Sequence, residues 1–200
     1  MNKSFNLGFM QGRLSPIIRN KIQAFPFQNW KKEFYLAKKI GFNLMEWTID
    51  EYNYQKNPIL INNQAKEIKK LKKKYKIKIN SITCDFLMEQ PFYKKKFNNN
   101  LDNKFKFFLK KCSDMNIKII VVPLVDKGSI RNKREENNVI NFFRGIKNFL
   151  KSKKLIVAFE SDYEPKKLKR FIQKFDPDIF GINYDMGNSS GLNYDYKKEI

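Results

Sequence analysis

The sequence predicts an α/β fold of (β/α) TIM-barrel type, incomplete, with about six parallel βα units instead of eight. Strand-like apolar runs recur along the chain, each closed by polar or turn residues: FNLGFM, NLMEW, IKINSIT, IKIIVVP, LIVAFE and DIFGINYD. Amphipathic helical stretches separate them, and βα alternation implies a parallel sheet. Taking the strand ends as Met10, Trp47, Cys84, Pro123, Glu160 and Asp185, the successive intervals are 37, 37, 39, 37 and 25 residues. Near-constant units of this kind fit a (β/α)8 barrel better than a doubly wound sheet.

The intervening stretches carry apolar residues at helical spacing. Trp30, Phe34 and Ala37 share a face, as do Ala65, Ile68, Leu71 and Tyr75. The same holds for Leu101, Phe105, Phe108 and Cys112, for Val139, Phe142, Phe143 and Ile146, and for Leu168, Phe171, Ile172 and Phe175. No G-x-G-x-x-G follows the first strand and no P-loop occurs, so dinucleotide and nucleotide folds lack their anchors. No Pro/Gly/Ser-rich linker divides the chain, and one domain is expected over residues 1–200. A complete barrel needs about 250 residues. Only 15 follow Asp185, so the expected domain lacks the last two βα units.

Hydrophobic residues make up 42% of the chain, with 19 Phe, which argues for a packed core despite 30% charged residues. Cys84 and Cys112 have neither metal nor disulfide spacing, which suits a reducing compartment. There is no long apolar leader and no stretch near the ~20 apolar residues of a membrane span, so a cytoplasmic protein without membrane partners is expected. The net charge of +21 would suggest nucleic acid. Only six of the 41 basic residues are Arg, however, and the lysines are spread along the chain. Lys, Asn, Ile and Phe, all with AT-rich codons, are abundant together. The densest basic run, KEIKKLKKKYKIK, keeps a helical apolar period, so its lysines read as a solvated face and no specific nucleic-acid partner is expected.

GFMQGRLSP followed by IQAFPFQNWKKEFYLAKKIGFNLMEW resembles the start of the sugar phosphate isomerase/epimerase group, within the xylose-isomerase-like TIM-barrel superfamily. SITCDFLMEQP, VVPLVD, AFESD and GINYDMGNSS continue the resemblance in order across nearly the whole chain. It implies a metal-dependent isomerase or epimerase acting on a sugar or sugar phosphate. The reaction implied is proton abstraction next to a carbonyl, through an enediolate. It also implies a divalent metal at the barrel mouth, Mn²⁺ foremost with Mg²⁺, Co²⁺ or Zn²⁺ as alternatives. Glu160 and Asp185 match two of its four ligands, and Glu160 doubles as the catalytic acid/base. The remaining histidine and glutamate belong to strands seven and eight. This sequence has no histidine, so weak metal binding is expected of it.

Other candidates come from position alone. Polar residues at C-terminal strand ends face the active site of such barrels. Gln11 and Arg13 in MQGRLSP, Glu46 in LMEW and Asp85 in TCDF are therefore expected to contact substrate, the arginine through a phosphate or carboxylate. Structural hydrogen bonds or ion pairs would account for these residues equally. Trp47 reads as core rather than as a sugar-stacking platform, and Cys84 as a buried hydrophobe. The apolar strand DIFGINY predicts that Asp185 is hydrogen-bonded, paired or metal-bound. Two other readings stand beside the isomerase: a non-catalytic incomplete barrel, and a DNA-repair endonuclease of the AP type, whose histidine-rich zinc cluster a chain without histidine cannot build. Open barrel edges would favour self-association.

Overall fold

The computed structural model describes residues 6–21, 23–94 and 99–199, with the side chains of 99–102 and 199 outside the description. The Leu101 side chain, expected in the core, is among those outside it. The strands are β1 (Gly8–Met10), β2 (Leu44–Thr48), β3 (Lys78–Thr83), β4 (Ile119–Leu124), β5 (Ile156–Ser161) and β6 (Phe180–Ile182). They form one sheet in the order β1-β2-β3-β4-β5-β6, every neighbouring pair parallel. The helices between and after them are α1 (Trp30–Ile40), α2 (Asn62–Tyr75), α3 (Asp85–Glu89), α4 (Asn99–Asp114), α5 (Lys133–Gly145), α6 (Lys147–Lys153), α7 (Pro165–Ile172), α8 (Met186–Gly191) and α9 (Tyr196–Glu199). Sequential parallel order with helical returns is the barrel arrangement expected from the spacing. Among the described residues, no helix is long and apolar enough to cross a membrane.

Alternation along the strands separates two faces. On β2, Met45 and Trp47 join the core beneath the helices, while Glu46 and Thr48 point the other way. On β5, Val157 and Phe159 join that core, while Ala158 and Glu160 alternate to the inner face. Ile119 and Ile156, paired in register near the N-terminal ends of β4 and β5, remain 37% and 42% exposed.

Phenylalanines dominate the layer between sheet and helices. Phe143 of α5 lies 5.1 Å from Phe142, 5.0 Å from Phe159 of β5 and 6.1 Å from Phe105 of α4, ring centre to ring centre. Phe159 continues the chain of contacts to Phe171, Phe175 and Phe180, at 5.4, 5.0 and 6.0 Å. These spacings fall in the range where edge-to-face and offset pairs add to area burial. The lysines of α2 behave differently: Lys66, Lys69, Lys70, Lys73 and Lys74 are exposed, and Lys72 reaches the Met115 carbonyl at 3.4 Å.

Helix ends are set by local chemistry. Asn132 caps α5 by accepting from the Glu135 N–H at 3.0 Å, and the Glu135 carboxylate reaches back to the Arg131 N–H at 2.8 Å. Helix α1 stops at Gly41, whose φ of 100° suits a residue without a side chain. Helices α2 and α6 instead stop at Lys76 and Lys154, with φ of 56° and 53°, and Asn116 follows α4 with φ of 57°.

Two expectations follow from this packing. Phe143→Ala should lower unfolding stability by about 3–5 kcal/mol, read from urea denaturation, because it opens a cavity at the centre of the aromatic layer. β1 and β6 each have one strand neighbour among the described residues, so both edges carry unpaired backbone groups. We expect the chain to self-associate in sedimentation velocity, and Ile182→Lys, on an edge-strand residue 41% exposed, to shift it toward monomer.

Candidate functional site

The C-terminal ends of the strands surround a cavity of about 780 Å³. The segment after β1 supplies Arg13, Lys21 and Gln23, and the end of β2 supplies Asp50. Thr83 of β3 and Asp85 and Glu89 of α3 form a second side. Pro123, Asp126 and Lys127 follow from β4, Glu160 from β5, and Asp185 and Asn188 from the segment after β6. The volume falls within the roughly 300–1,000 Å³ of small-ligand sites.

The first loop is fixed from below. Glu33, fully buried on the apolar face of α1, accepts from the Gly12 N–H at 3.0 Å, the Leu14 N–H at 3.2 Å and the Ser15 hydroxyl at 2.9 Å. Burial pushes its carboxyl above the usual range, and these hydrogen bonds work against that rise. Gly12 has φ of 97°, and a Cβ there would stand 2.5 Å from the Ala24 carbonyl oxygen, so only glycine fits. The result is a tight loop that brings Arg13 to the rim.

Three carboxyls in the cavity, Asp50, Asp85 and Glu160, are displaced upward, Asp50 chiefly by burial. Asp85 is 5% exposed and accepts from Gln23 Nε2 at 2.6 Å. Burial pushes its carboxyl up to about 7; the Gln23 bond opposes this, and the charges of Glu89, Asp50 and Glu160 add to it. Glu160 accepts from Asn183 Nδ2 at 3.0 Å and from Asn188 Nδ2 at 2.8 Å. Burial raises it first and the Asp185 charge second, the two asparagines pulling the other way. Asp185 is exposed and caps α8, accepting from the Gly187 and Asn188 N–H groups at 2.7 and 3.0 Å. The strand before it is shorter than the apolar run suggested, and Ile182 and Tyr184 are exposed, so the acid is hydrogen-bonded without being buried.

Of the residues expected at the site, Arg13, Asp85, Glu160 and Asp185 line the cavity. Gln11 and Glu46 do not. Gln11 is fully buried, and its side-chain oxygen accepts from the Thr48 N–H at 3.3 Å. Glu46 sits two residues below Thr48 on the inner face and accepts from the Thr83 hydroxyl at 2.6 Å. Trp47 is fully buried with its indole N–H on Asn57 at 3.0 Å. Cys84 is also buried, and burial raises its thiol well above the usual range. Sequence reasoning missed Asp50, Glu89 and Gln23. Asp50 was within reach, because Glu46, Thr48 and Asp50 share one face and the last is nearest the mouth. Asp50 accepts from the Phe25 N–H at 3.2 Å, and Glu89 pairs with Lys21.

Among the described residues, no three His, Cys, Asp or Glu side chains gather closely enough to hold a metal ion. Glu160 and Asp185 offer oxygen ligands, but each is already engaged by N–H donors, and two carboxylates are short of a hard cation's shell. The residues present do not by themselves fit a resident metal.

Asp85 gives a pH-dependent stability with a definite sign. Its folded carboxyl holds a proton up to about 7, whereas the unfolded one releases it near pH 4. The folded state therefore binds more protons in that window, and stability falls as pH rises through it. Asp85→Asn should remove a slope of up to about 1.4 kcal/mol per pH unit, seen by comparing urea denaturation of the two proteins from pH 4 to pH 8.

No family model matches the sequence, and no curated protein matches it either. Solved structures do match in fold. A xylose isomerase domain protein from Planctomyces limnophilus aligns with a TM-score of 0.67 at 11% identity, over 92% of this chain and 63% of its own. D-psicose 3-epimerase from Clostridium cellulolyticum H10, solved with D-tagatose, gives 0.64 at 13% identity, over 81% and 60%. A xylose isomerase-like TIM-barrel protein from Mycobacterium smegmatis, solved with magnesium, gives 0.61 at 14%, over 82% and 58%. The chain thus spans 58 to 63% of the length of these proteins. At such identities the likeness concerns the fold alone. Sequential parallel strands, helices returning between them and a polar mouth at the C-terminal strand ends all agree with it: the chain has a TIM-barrel-type fold in six βα units, similar to that of these solved proteins.

Proposed function

We propose that this chain forms the substrate-binding mouth of a sugar isomerase or epimerase, with Glu160 as the group that moves a proton at carbon next to a carbonyl. The observation that carries the reading is one cavity at the C-terminal strand ends holding Glu160 and Asp85, two carboxyls that both retain protons above the usual carboxylate range. Such values suit general acid–base work near neutrality. The neighbour solved with D-tagatose makes a ketohexose the natural first substrate to try.

In the proposed reaction, ionised Glu160 takes the proton from the carbon beside the carbonyl. Asn183 and Asn188 hold its two oxygens in place. The electron pair moves toward the carbonyl oxygen, and Asp85, with a proton to give near neutral pH, donates to that oxygen or to a neighbouring hydroxyl. Arg13 contacts the distal end of the substrate from the rim. Gln11 and Glu46 support from beneath, Gln11 through Thr48 and Glu46 through Thr83. The residues described do not fit a divalent cation, so the proposed steps use the chain's own groups alone. Mn²⁺, expected from the resemblance, has no counterpart among the neighbours named above, one of which carries magnesium.

The test is deuterium wash-in: D-tagatose is incubated with the protein in D₂O, and exchange beside the carbonyl is read by NMR. Glu160→Gln should slow exchange at least about 100-fold. Ionised Glu160 and protonated Asp85 are both required, so the rate should rise with pH through a value above the usual glutamate range and fall again above about 7. Binding of tagatose without exchange would favour the non-catalytic barrel. Exchange that survives Glu160→Gln would remove Glu160 from its role.

A further inference from the structure

The fold sorts the charges that the sequence spreads. In a parallel βα array each helix starts near the C-terminal strand ends and finishes near the N-terminal ones. Lysines gather at the finish: Lys38 and Lys39 in the last turn of α1, Lys73 and Lys74 in that of α2, and Lys151 and Lys153 in that of α6. Acids gather at the start, with Glu33 in the first turn of α1 and Glu135 and Glu136 in that of α5. Cations suit the negative end of a helix dipole, which accounts for this much. It does not account for Lys76, Lys78, Lys118 and Lys154, which lie beyond the helices, at or just before the starts of β3, β4 and β5. All four are exposed, and none makes an ion pair among the described residues.

Apolar surface is exposed at the same end. Leu7, just before β1, and Ile40, the last residue of α1, are 60% and 58% exposed. The Leu7 carbonyl accepts from the Asn43 and Leu44 N–H groups at 3.0 and 3.2 Å, which fixes both residues at the starts of β1 and β2. Ile119 and Ile156 are exposed at the starts of β4 and β5. Lysines stand beside them in the chain: Lys39 next to Ile40, Lys118 next to Ile119, and Lys154 two residues before Ile156. These exposed apolar side chains are aliphatic, unlike the aromatic platforms on which nucleic-acid bases stack. The boundary between headgroups and acyl chains takes aliphatic side chains, while lysines around them meet anionic headgroups.

We infer that the end of the fold carrying the strand N-termini docks on an anionic lipid surface, with the acid-lined mouth turned toward solution. The contact is peripheral, and it replaces the expectation of a chain without membrane partners. It is independent of what the cavity binds. Each lysine near such a surface adds to the attraction, which salt weakens. The mouth, lined by acids such as Asp50, Asp85 and Glu160, is repelled by the same surface, so one orientation is favoured.

Co-sedimentation of the whole chain with phosphatidylcholine vesicles, with and without phosphatidylglycerol, tests this. Binding should require phosphatidylglycerol and fall as salt is raised. Lys73→Glu, Lys78→Glu and Lys118→Glu together should weaken it at least about tenfold. Lys31, Lys32 and Lys56 are exposed near the opposite end, in the first turn of α1 and after β2. Their replacement by glutamate makes the same change in net charge and should leave vesicle binding nearly intact. Lysine acetylation of the unaltered protein, read by mass spectrometry, removes any dependence on how the variants fold. Vesicles should shield Lys73, Lys78 and Lys118 and leave Lys31, Lys32 and Lys56 reactive. Equal effects of the two triple variants, or equal shielding of the two ends, overturn the inference. Stronger shielding by polyuridylate than by vesicles at equal phosphate also overturns it, and makes this end a nucleic-acid surface. Self-association that depends on Lys73, Lys78 and Lys118, with no vesicle binding, overturns it in favour of the acidic mouth of a second copy.

Discussion

The aromatic layer between sheet and helices is the constraint on which the rest of the structure depends. Parallel strands of three to six residues have little cohesion of their own, and β1 and β6 contribute only three residues each. Their outer faces must be covered for the sheet to persist. Phe143 and Phe159 do this at the centre, tying α4 and α5 to β5 and, through Phe180, to β6. The inner face has no such cover. Polar groups there are mostly paired, Gln11 Oε1 with the Thr48 N–H and Glu46 with the Thr83 hydroxyl, while Gln11 Nε2 is buried without a partner.

Asymmetry between the two faces explains how acidic groups come to be concentrated at the mouth. Lysines spread over the helices keep the surface strongly positive, while the strand ends gather acids held by amides and backbone N–H groups. Gln23, Asn183 and Asn188 serve as neutral donors to Asp85 and Glu160. Neutral donors position a carboxylate without lowering its proton affinity as far as an arginine or lysine would. Lys21 pairs with Glu89 and Arg19 with Asp50, whereas the described bonds to Asp85 and Glu160 come from neutral amides. Burial therefore wins at Asp85 and Glu160.

Much of the fold was legible in the sequence because both periodicities were present together. Runs such as LIVAFE announce a strand, and Val139, Phe142, Phe143 and Ile146 announce a helix face, all four of them buried in the structure. The site was only partly legible. Glu46 is the last acid of the run NLMEW, yet the inner face of β2 continues past Thr48 to Asp50, which lines the cavity while Glu46 lies deeper. Glu33 carried a readable signal, standing at a core position between Trp30 and Phe34 on one helix face, where a carboxylate must have local donors. The cap role of Asp185 was hidden by α8 itself, since MGNSSG has no apolar period to mark a helix. Gln23 and Glu89 reach the cavity only through tertiary placement of loops, and no local pattern reports that.

Lysine at the left-handed ends of α2 and α6 carries a thermodynamic cost. Glycine would adopt those torsions freely. Each substitution of one for the other at such a position costs about 1 kcal/mol of backbone strain. Lys76 and Lys154 together thus withhold on the order of 2 kcal/mol from a net stability of typically 5–15. Glycine at either position would release that strain, so the ends of α2 and α6 are places where one substitution can stabilise the chain without touching its aromatic core.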